Sequence, residues 1–335
     1  MDNLIIDSSE LSEFLQGSGF AYEMKALMAQ QKTVWTFLNE GYKSLNSVKT
    51  KSFEFDGFEV KVQFNPGRIL STGAKVDPKS ISERPCFLCR RNLPELQRGL
   101  AYYNDFTVLC NPYPILPEHF TIPKVEHLPQ LLMPRLETML NLAKDISKFY
   151  TLLFNGPRCG ASAPDHNHFQ SGTKYFLPVE TDYSKLKNQL ILPIFESDQL
   201  KIFCSKNYLR DFISFESGSR KEIIKGMNYL IRTMKKFDSD PDEPKINVLT
   251  DFVDGIWRVI VFPRSNHRPK QYFAEGREKL MISPATIDMG GVLITPREKD
   301  FDKISKDSAA DIYKQVSLPK EQFVFLAESL KKLSL

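Results

Sequence analysis

The sequence is short of several things that would settle its class at once. Its 335 residues hold five cysteines, five histidines, two tryptophans and 16 glycines. Five cysteines in so long a chain are too few for a disulfide scaffold, and the sparse glycines exclude a collagen-like chain. No run of about 18 apolar residues occurs, so no segment is predicted to span a bilayer. Neither sign of charge dominates: 45 Lys+Arg stand against 41 Asp+Glu, a formal net charge of +4. The basic clusters Lys235-Lys236 and Lys331-Lys332 fall in segments of helical spacing and read as solvated faces, which predicts no nucleic-acid partner. The opening residues MDNLIIDSSELSEF carry acids where a secretory signal would carry a basic region and an unbroken apolar one, which predicts a soluble, cytoplasmic chain. What is present is 41% apolar residues with 12% aromatics, enough for one large or two ordinary hydrophobic cores.

Apolar residues recur at helical spacing over 21–40, which predicts an N-terminal helix. FEFDGFEVKVQFN alternates about Asp56-Gly57, a turn pair that suits a hairpin. Residues 71–98 form a polar excursion. FTVLCN (106–111) then reads as a strand, broken by Pro112, Pro114 and Pro117 before FTIPKVEH resumes an extended path. Residues 128–150 read as one long amphipathic helix with Pro134 near its start, where proline is tolerated. TLLFNG and, after a small-residue loop, HNHFQSGTKYFLPV read as strands. The second half has a similar order. Strands LILPIF and LKIFCSKN, helix RKEIIKGMNYLIRTMKKF and a turn-rich SDPDEP lead to a strand pair hinged at Asp254-Gly255, then strand GGVLITP and helix to Leu335. The predicted class is α+β, with two domains meeting near residue 180.

Two of the five histidines fall in His166-Asn-His168-Phe-Gln170. On an extended strand residues i and i+2 share a face, so both imidazoles and the Gln170 amide are predicted to project together. The loop just upstream, from Asn155 through Arg158 and Gly160 to Ser162, offers backbone N–H groups, a hydroxyl, an amide and a guanidinium, an anion cradle beside a nucleophile. Imidazole is largely neutral near pH 7, and attack on phosphorus would give a phosphoramidate. Cys86-Phe-Leu-Cys89 means zinc, redox chemistry or coincidence. Its flanking prolines suit a zinc knuckle, and with no second C-x-x-C the remaining ligands must be histidines, from among His119, His127 and His166. Asn65 and Arg68 close a strand at a Pro-Gly turn, where an arginine suits phosphate. His267 reads equally as surface loop or substrate contact, and Asp288-Met289-Gly290-Gly291 as a tight turn without chemistry.

The run Asn155–Gln170 resembles the H-x-H-x-Q strand of the histidine-triad superfamily, in its nucleotidyl-transferring branch. That branch includes galactose-1-phosphate uridylyltransferase, diadenosine tetraphosphate phosphorylase and GDP-L-galactose phosphorylase. Gln63–Arg68 resembles the Q-[LF]-N-x-G-R strand of the GDP-hexose phosphorylases, Pro85–Cys89 the zinc C-x-x-C of the uridylyltransferases, and Asn111–His127 the strand pair before the helix of a histidine-triad domain. The resemblance implies a helical extension (1–48), a catalytic histidine-triad-like domain with a zinc site (49–180) and a degenerate second one (181–335), each an antiparallel sheet with flanking helices. It implies His168 as the nucleophile, its ring oriented by the His166 carbonyl, and Gln170 on the transferred phosphate. Asn65, Arg68, Asn155, Arg158, Gly160 and Ser162 would hold nucleotide and phosphates. A structural Zn²⁺ would sit on Cys86, Cys89, His127 and His166, with His119 in reserve. The implied substrate is a nucleotide sugar or dinucleoside polyphosphate, with phosphate or a sugar 1-phosphate as acceptor, and relatives are often homodimers. The rival readings are a nucleotide hydrolase, a nucleotide-binding protein without turnover and a nucleic-acid-binding zinc module.

Overall fold

A computed structural model describes residues 4–238 and 242–333; the first half of the turn expected at 239–244 lies outside them. Among the described residues thirteen strands form: β1 Lys49–Glu54, β2 Glu59–Phe64, β3 Gly99–Tyr102, β4 Phe106–Cys110, β5 His119–Pro123, β6 Tyr150–Asn155, β7 His168–Thr173, β8 Ile191–Glu196, β9 Lys201–Ser205, β10 Ile213–Ser217, β11 Ile246–Val253, β12 Ile256–Pro263 and β13 Val292–Thr295. Ten of them make one antiparallel sheet in the order β3-β4-β5-β7-β6-β11-β12-β10-β9-β8. Each half contributes three successive strands, a crossing helix (Leu136–Ile146 or Arg220–Met234) and a closing pair whose last strand inserts beside the third. The halves meet where β6 pairs with β11.

The halves differ at one connection. Between β11 and β12 the chain turns on Asp254-Gly255, at φ 51° and 82°, the two-residue hairpin turn that needs left-handed backbone. Between β6 and β7 it runs through residues 156–167, the small-residue loop with its two flanking histidines. The second half has no room for such a loop.

Alternate residues of the central strands face opposite ways. Phe120, Ile122, Leu152, Phe154, Phe169 and Val248 join one apolar core with helices Phe20–Val34, Leu136–Ile146, Arg220–Met234 and Lys320–Leu330. On the other face Leu153, Leu249, Ile260 and Phe262 pack under helices Pro178–Leu186 and Lys306–Val316 and a small sheet, β1-β2-β13. Toward β5 and β7 that second face turns polar, carrying His119, Thr121, His168 and Gln170, with Asn155 and Asn247 where β6 and β11 meet. The site lies there because hydrocarbon cover stops there.

The hairpin β1–β2 forms as expected, but β13 runs parallel to β2, so Val62 sits opposite Leu293. The expected boundary near 180 falls inside helix Pro178–Leu186. The helix read over 21–40 breaks at Trp35 into Phe20–Val34 and Thr36–Ser44. The long helix read from residue 128 begins only at Leu136, after a 3-10 turn at Met133–Arg135, and Gln130 upstream is held in another task. The strand read over 166–179 is confined to β7, and helix Pro178–Leu186 begins soon after it. No helix among the described residues is long and apolar enough to cross a membrane.

Candidate active site and metal centre

His168 opens β7, with Pro123 of β5 opposite it. Its ring is 3% exposed, and its Nδ1 lies 2.8 Å from the His166 carbonyl. A carbonyl can only accept, so Nδ1 carries the proton and Nε2 the lone pair. Nothing among the described residues bonds that Nε2. Burial, with only partial compensation from the carbonyl, pushes the imidazole down to about 4.

Gln170 is fixed by the same logic. His119 Nδ1 accepts from the Ile115 N–H at 3.3 Å, so its Nε2 carries a proton and donates to Gln170 Oε1 at 3.3 Å. The Gln170 amide therefore turns its NH₂ away from His119, toward the site. Burial, aided by the charge of nearby Arg68, pushes His119 down to about 3. An unfolded histidine titrates near 6.5, so as pH falls from 6.5 toward 3 the unfolded chain takes up this proton and the folded chain does not. Stability contributed by His119 is whole above pH 6.5 and is expected to fall by about 1.4 kcal/mol per pH unit across that window. Denaturant melts of wild type and His119→Asn between pH 7 and 4.5 check this, since the slope should be shallower in the variant.

The remaining predicted residues are distributed unevenly. Asn155, 5% exposed, ends β6 beside His168 and keeps its Nδ2 unbonded among the described residues while Oδ1 accepts. Arg68 donates to the Tyr113 carbonyl at 2.8 Å and to the Ser71 hydroxyl; burial lowers it to about 10, so it stays charged near pH 7. Asn65 spends its amide nitrogen on the Pro114 carbonyl at 3.0 Å, which ties the β4–β5 loop. Ser162 is half-buried, and its carbonyl receives Arg84 at 2.7 Å; Arg158 is exposed. Gly160 has φ +90°, and a Cβ there would sit 2.5 Å from that of Ala285, so only glycine lets the loop press on the second half.

His166 is not on the strand. β7 starts at His168, and His166 sits in the bend before it. Its ring leaves the His168 face and meets Cys86, Cys89 and His127, whose ligand atoms all lie within 4.8 Å of one another. Nδ1 of His166 is 3.3 Å from Cys86 Sγ and 3.6 Å from Cys89 Sγ, and Nδ1 of His127 is 3.1 Å from Cys89 Sγ. The outer nitrogens are held too: His166 Nε2 by the Lys124 carbonyl at 2.7 Å, His127 Nε2 by Asp165 at 3.5 Å. Such outer contacts fix the tautomer of a metal-binding imidazole. These four residues could hold a metal ion; His119, the reserve ligand, is bonded to Gln170 instead.

The sequence reading missed Gln130. Fully buried, its Oε1 accepts the His168 N–H at 2.7 Å, and its Nε2 donates to the carbonyls of His168 at 2.9 Å and Asn155 at 3.0 Å. It closes the ladder where β6 and β7 part. Pro129 and Pro134 flanking a lone amide were the available signal. Gln130→Ala strands those three main-chain groups and is expected to cost about 3 kcal/mol or more, read as a lower melting temperature together with slower turnover.

Fold and site together define a mixed α+β chain whose two halves, of like topology, share one antiparallel sheet. Residues 27–173 match the family described as Domain of unknown function (DUF4922), and residues 187–334 the family described as GDPGP1-like, C-terminal domain. No curated protein matches the chain in sequence. Among solved structures, yeast Ap4A phosphorylase Apa2 is similar over 85% of this chain and 97% of its own, at 16% identity and a TM-score of 0.54. The same enzyme in complex with AMP aligns over 85% and 96%, at 18% identity and a TM-score of 0.53. A DUF4931 family protein from Bacillus cereus covers 49% of this chain and 84% of its own, at 16% identity and a TM-score of 0.35. The chain shares its overall fold with yeast Ap4A phosphorylase Apa2.

Proposed function

We propose that the protein is a nucleotidyl-transferring phosphorylase, acting on a dinucleoside polyphosphate or nucleotide sugar through a covalent nucleotidyl group on His168. The observation that carries this is the His168 ring, with Nδ1–H on a carbonyl and Nε2 unbonded among the described residues, on the sheet face that also carries Gln170 and Asn155, whose acceptor oxygens are already engaged. The fold likeness to an Ap4A phosphorylase, solved also with AMP, supports the substrate class.

His168 Nε2 attacks the α-phosphorus. The N–P bond forms as the P–O bond to the leaving phosphate breaks, and the leaving oxygen departs with that electron pair. An oxygen of phosphate or of a sugar 1-phosphate then attacks the same phosphorus, and the N–P bond breaks back onto Nε2. Through both steps the Nδ1–H bond to the His166 carbonyl stabilises the charge on the ring. Gln170 and Asn155 donate N–H groups to the phosphoryl oxygens, with Arg68, Arg158, Ser162 and the main chain around Gly160 around the phosphates; each well-placed donor supplies about 3 kcal/mol.

The metal cluster fits zinc. Tetrahedral zinc with sulfur at 2.3 Å and nitrogen near 2.0 Å sets S···N separations of about 3.5 Å, close to the spacing of these sulfurs and nitrogens. Cys86, Cys89, His127 and His166 would hold it. With four protein ligands it supplies folding energy and leaves no place for a reacting water.

Incubation with a panel of dinucleoside polyphosphates and nucleotide sugars, with and without phosphate, followed by mass spectrometry, tests the reading. The expected products are a nucleoside diphosphate formed only with phosphate, and a nucleotidyl adduct on His168 without it. Product formed equally without phosphate would make the protein a hydrolase. Binding without adduct or product would leave a nucleotide-binding protein.

A further inference from the structure

The amide of Asn155 is oriented by a relay that begins in the second half of the chain. Its Oδ1 faces three donors: the Thr286 main-chain N–H at 2.7 Å, the Thr286 hydroxyl at 2.7 Å and Asn247 Nδ2 at 3.2 Å. The hydroxyl proton is shared with the Phe154 carbonyl at 2.6 Å. Asn247 is itself fixed, because its Oδ1 receives the Arg264 guanidinium while its Nδ2 also donates to the Cys159 carbonyl at 2.7 Å.

Arg264 is 1% exposed and, among the described residues, forms no acidic pair. Its other donors go to the carbonyls of Val316, Pro284, Asn266 and His267, at 2.9 to 3.2 Å. A guanidinium has no acceptor, so the polarity of the whole row is set from that end. Oxygen of Asn247 must face Arg264, nitrogen of Asn247 must face Asn155, and the oxygen of Asn155 must face inward. The main-chain N–H of Thr286, which can only donate, imposes the same answer independently. A buried amide that could otherwise flip is thereby held one way round.

We propose that Arg264, Asn247 and Thr286 are positioning residues that lock Asn155 with its NH₂ outward, as a donor to the transferred phosphoryl group. The proposal rests on the nucleotidyl-transfer reading above and gives the second half a part in the chemistry: it sets the polarity of a phosphate donor carried by the first. None of the three touches the substrate. Each acts through Asn155, whose β6 position lies against the His168 main chain through the shared Gln130 amide.

The test is Asn247→Asp in the full-length protein, read as the rate at which His168 acquires label from an α-phosphate-labelled dinucleoside polyphosphate. A carboxylate keeps a partner for Arg264 but turns only acceptors toward the Asn155 and Cys159 oxygens; it sets this end of the relay against the Thr286 N–H, so the Asn155 amide is no longer held one way round. Labelling is expected to slow about a hundredfold. Asn155→Ala should slow it comparably, and Asn247→Asp added to Asn155→Ala should slow it no further, a coupling that general loosening of the fold would not produce. Thr286→Val should give a smaller loss in the same direction, restored by Thr286→Ser. Equal slowing by Asn247→Asp with and without Asn155, or no slowing by either Asn247→Asp or Thr286→Val, would overturn the relay while leaving the transfer reading intact. Wild-type protein that never labels would bring down both.

Discussion

His168→Ala is expected to abolish labelling and to lower turnover by at least about 10⁴-fold, since no other side chain can take over bond formation to phosphorus. His119, bonded to the amide of Gln170, has both ring nitrogens engaged, and His166 has its ring among Cys86, Cys89 and His127. The variant should remain folded. It loses one hydrogen bond, to a carbonyl that borders the new space, at about 1–3 kcal/mol. Circular dichroism and a melting curve close to wild type, with no adduct by mass spectrometry, are the expected pair of results. Adduct at another residue, or preserved turnover, would remove His168 from the mechanism.

Cys86→Ser should act the other way, on the fold first. The four predicted ligands come from three separate stretches: the knuckle at 86 and 89, His127 beyond β5, and the bend at His166. An ion holding them staples three loops that share little hydrocarbon, and structural zinc contributes on the order of 10 kcal/mol to small domains. Serine oxygen is a poor zinc ligand. Metal content is expected to drop from about one ion per chain to near zero, and the melting temperature by roughly 10 °C or more. Activity should fall with it, because the His166 carbonyl that orients His168 belongs to a residue whose ring is then adrift. Unchanged metal content and melting would remove the metal assignment.

Some of this site was readable from the residues. The pairing of His168 with Gln170 followed from strand periodicity alone, and the hairpin at Asp254-Gly255 from turn chemistry. The same periodicity misled at His166. The strand starts two residues later, since Pro164 and Asp165 make a turn, so the imidazole is free to point into a different cluster. Spacing alone left three histidine ligand candidates; the resemblance had put His127 and His166 in the set, and these are the two that gather with Cys86 and Cys89, while His119 faces β7. Gln130 was hidden inside a convincing helical pattern, its real task being to satisfy main-chain groups 38 residues away. The bond between Asn155 and Thr286 spans 131 residues, and no local signal in one sequence marks such a pair. Strands β3 and β10 went unread, although β13 and β4, of the same lengths, did not.

The parallel pairing of β2 with β13 has a consequence for how the chain is made. Val62 waits for Leu293, and β6 waits for β11, before either strand has its second neighbour. During synthesis the first half therefore leaves the ribosome with an open sheet edge and an orphan hairpin, both awaiting segments not yet translated. Contacts so distant in sequence close slowly, and exposed edges in the interval invite pairing with other nascent chains. Cutting the gene near codon 180 should accordingly give an aggregating fragment, and supplying the missing part in trans during expression should be the way to recover it.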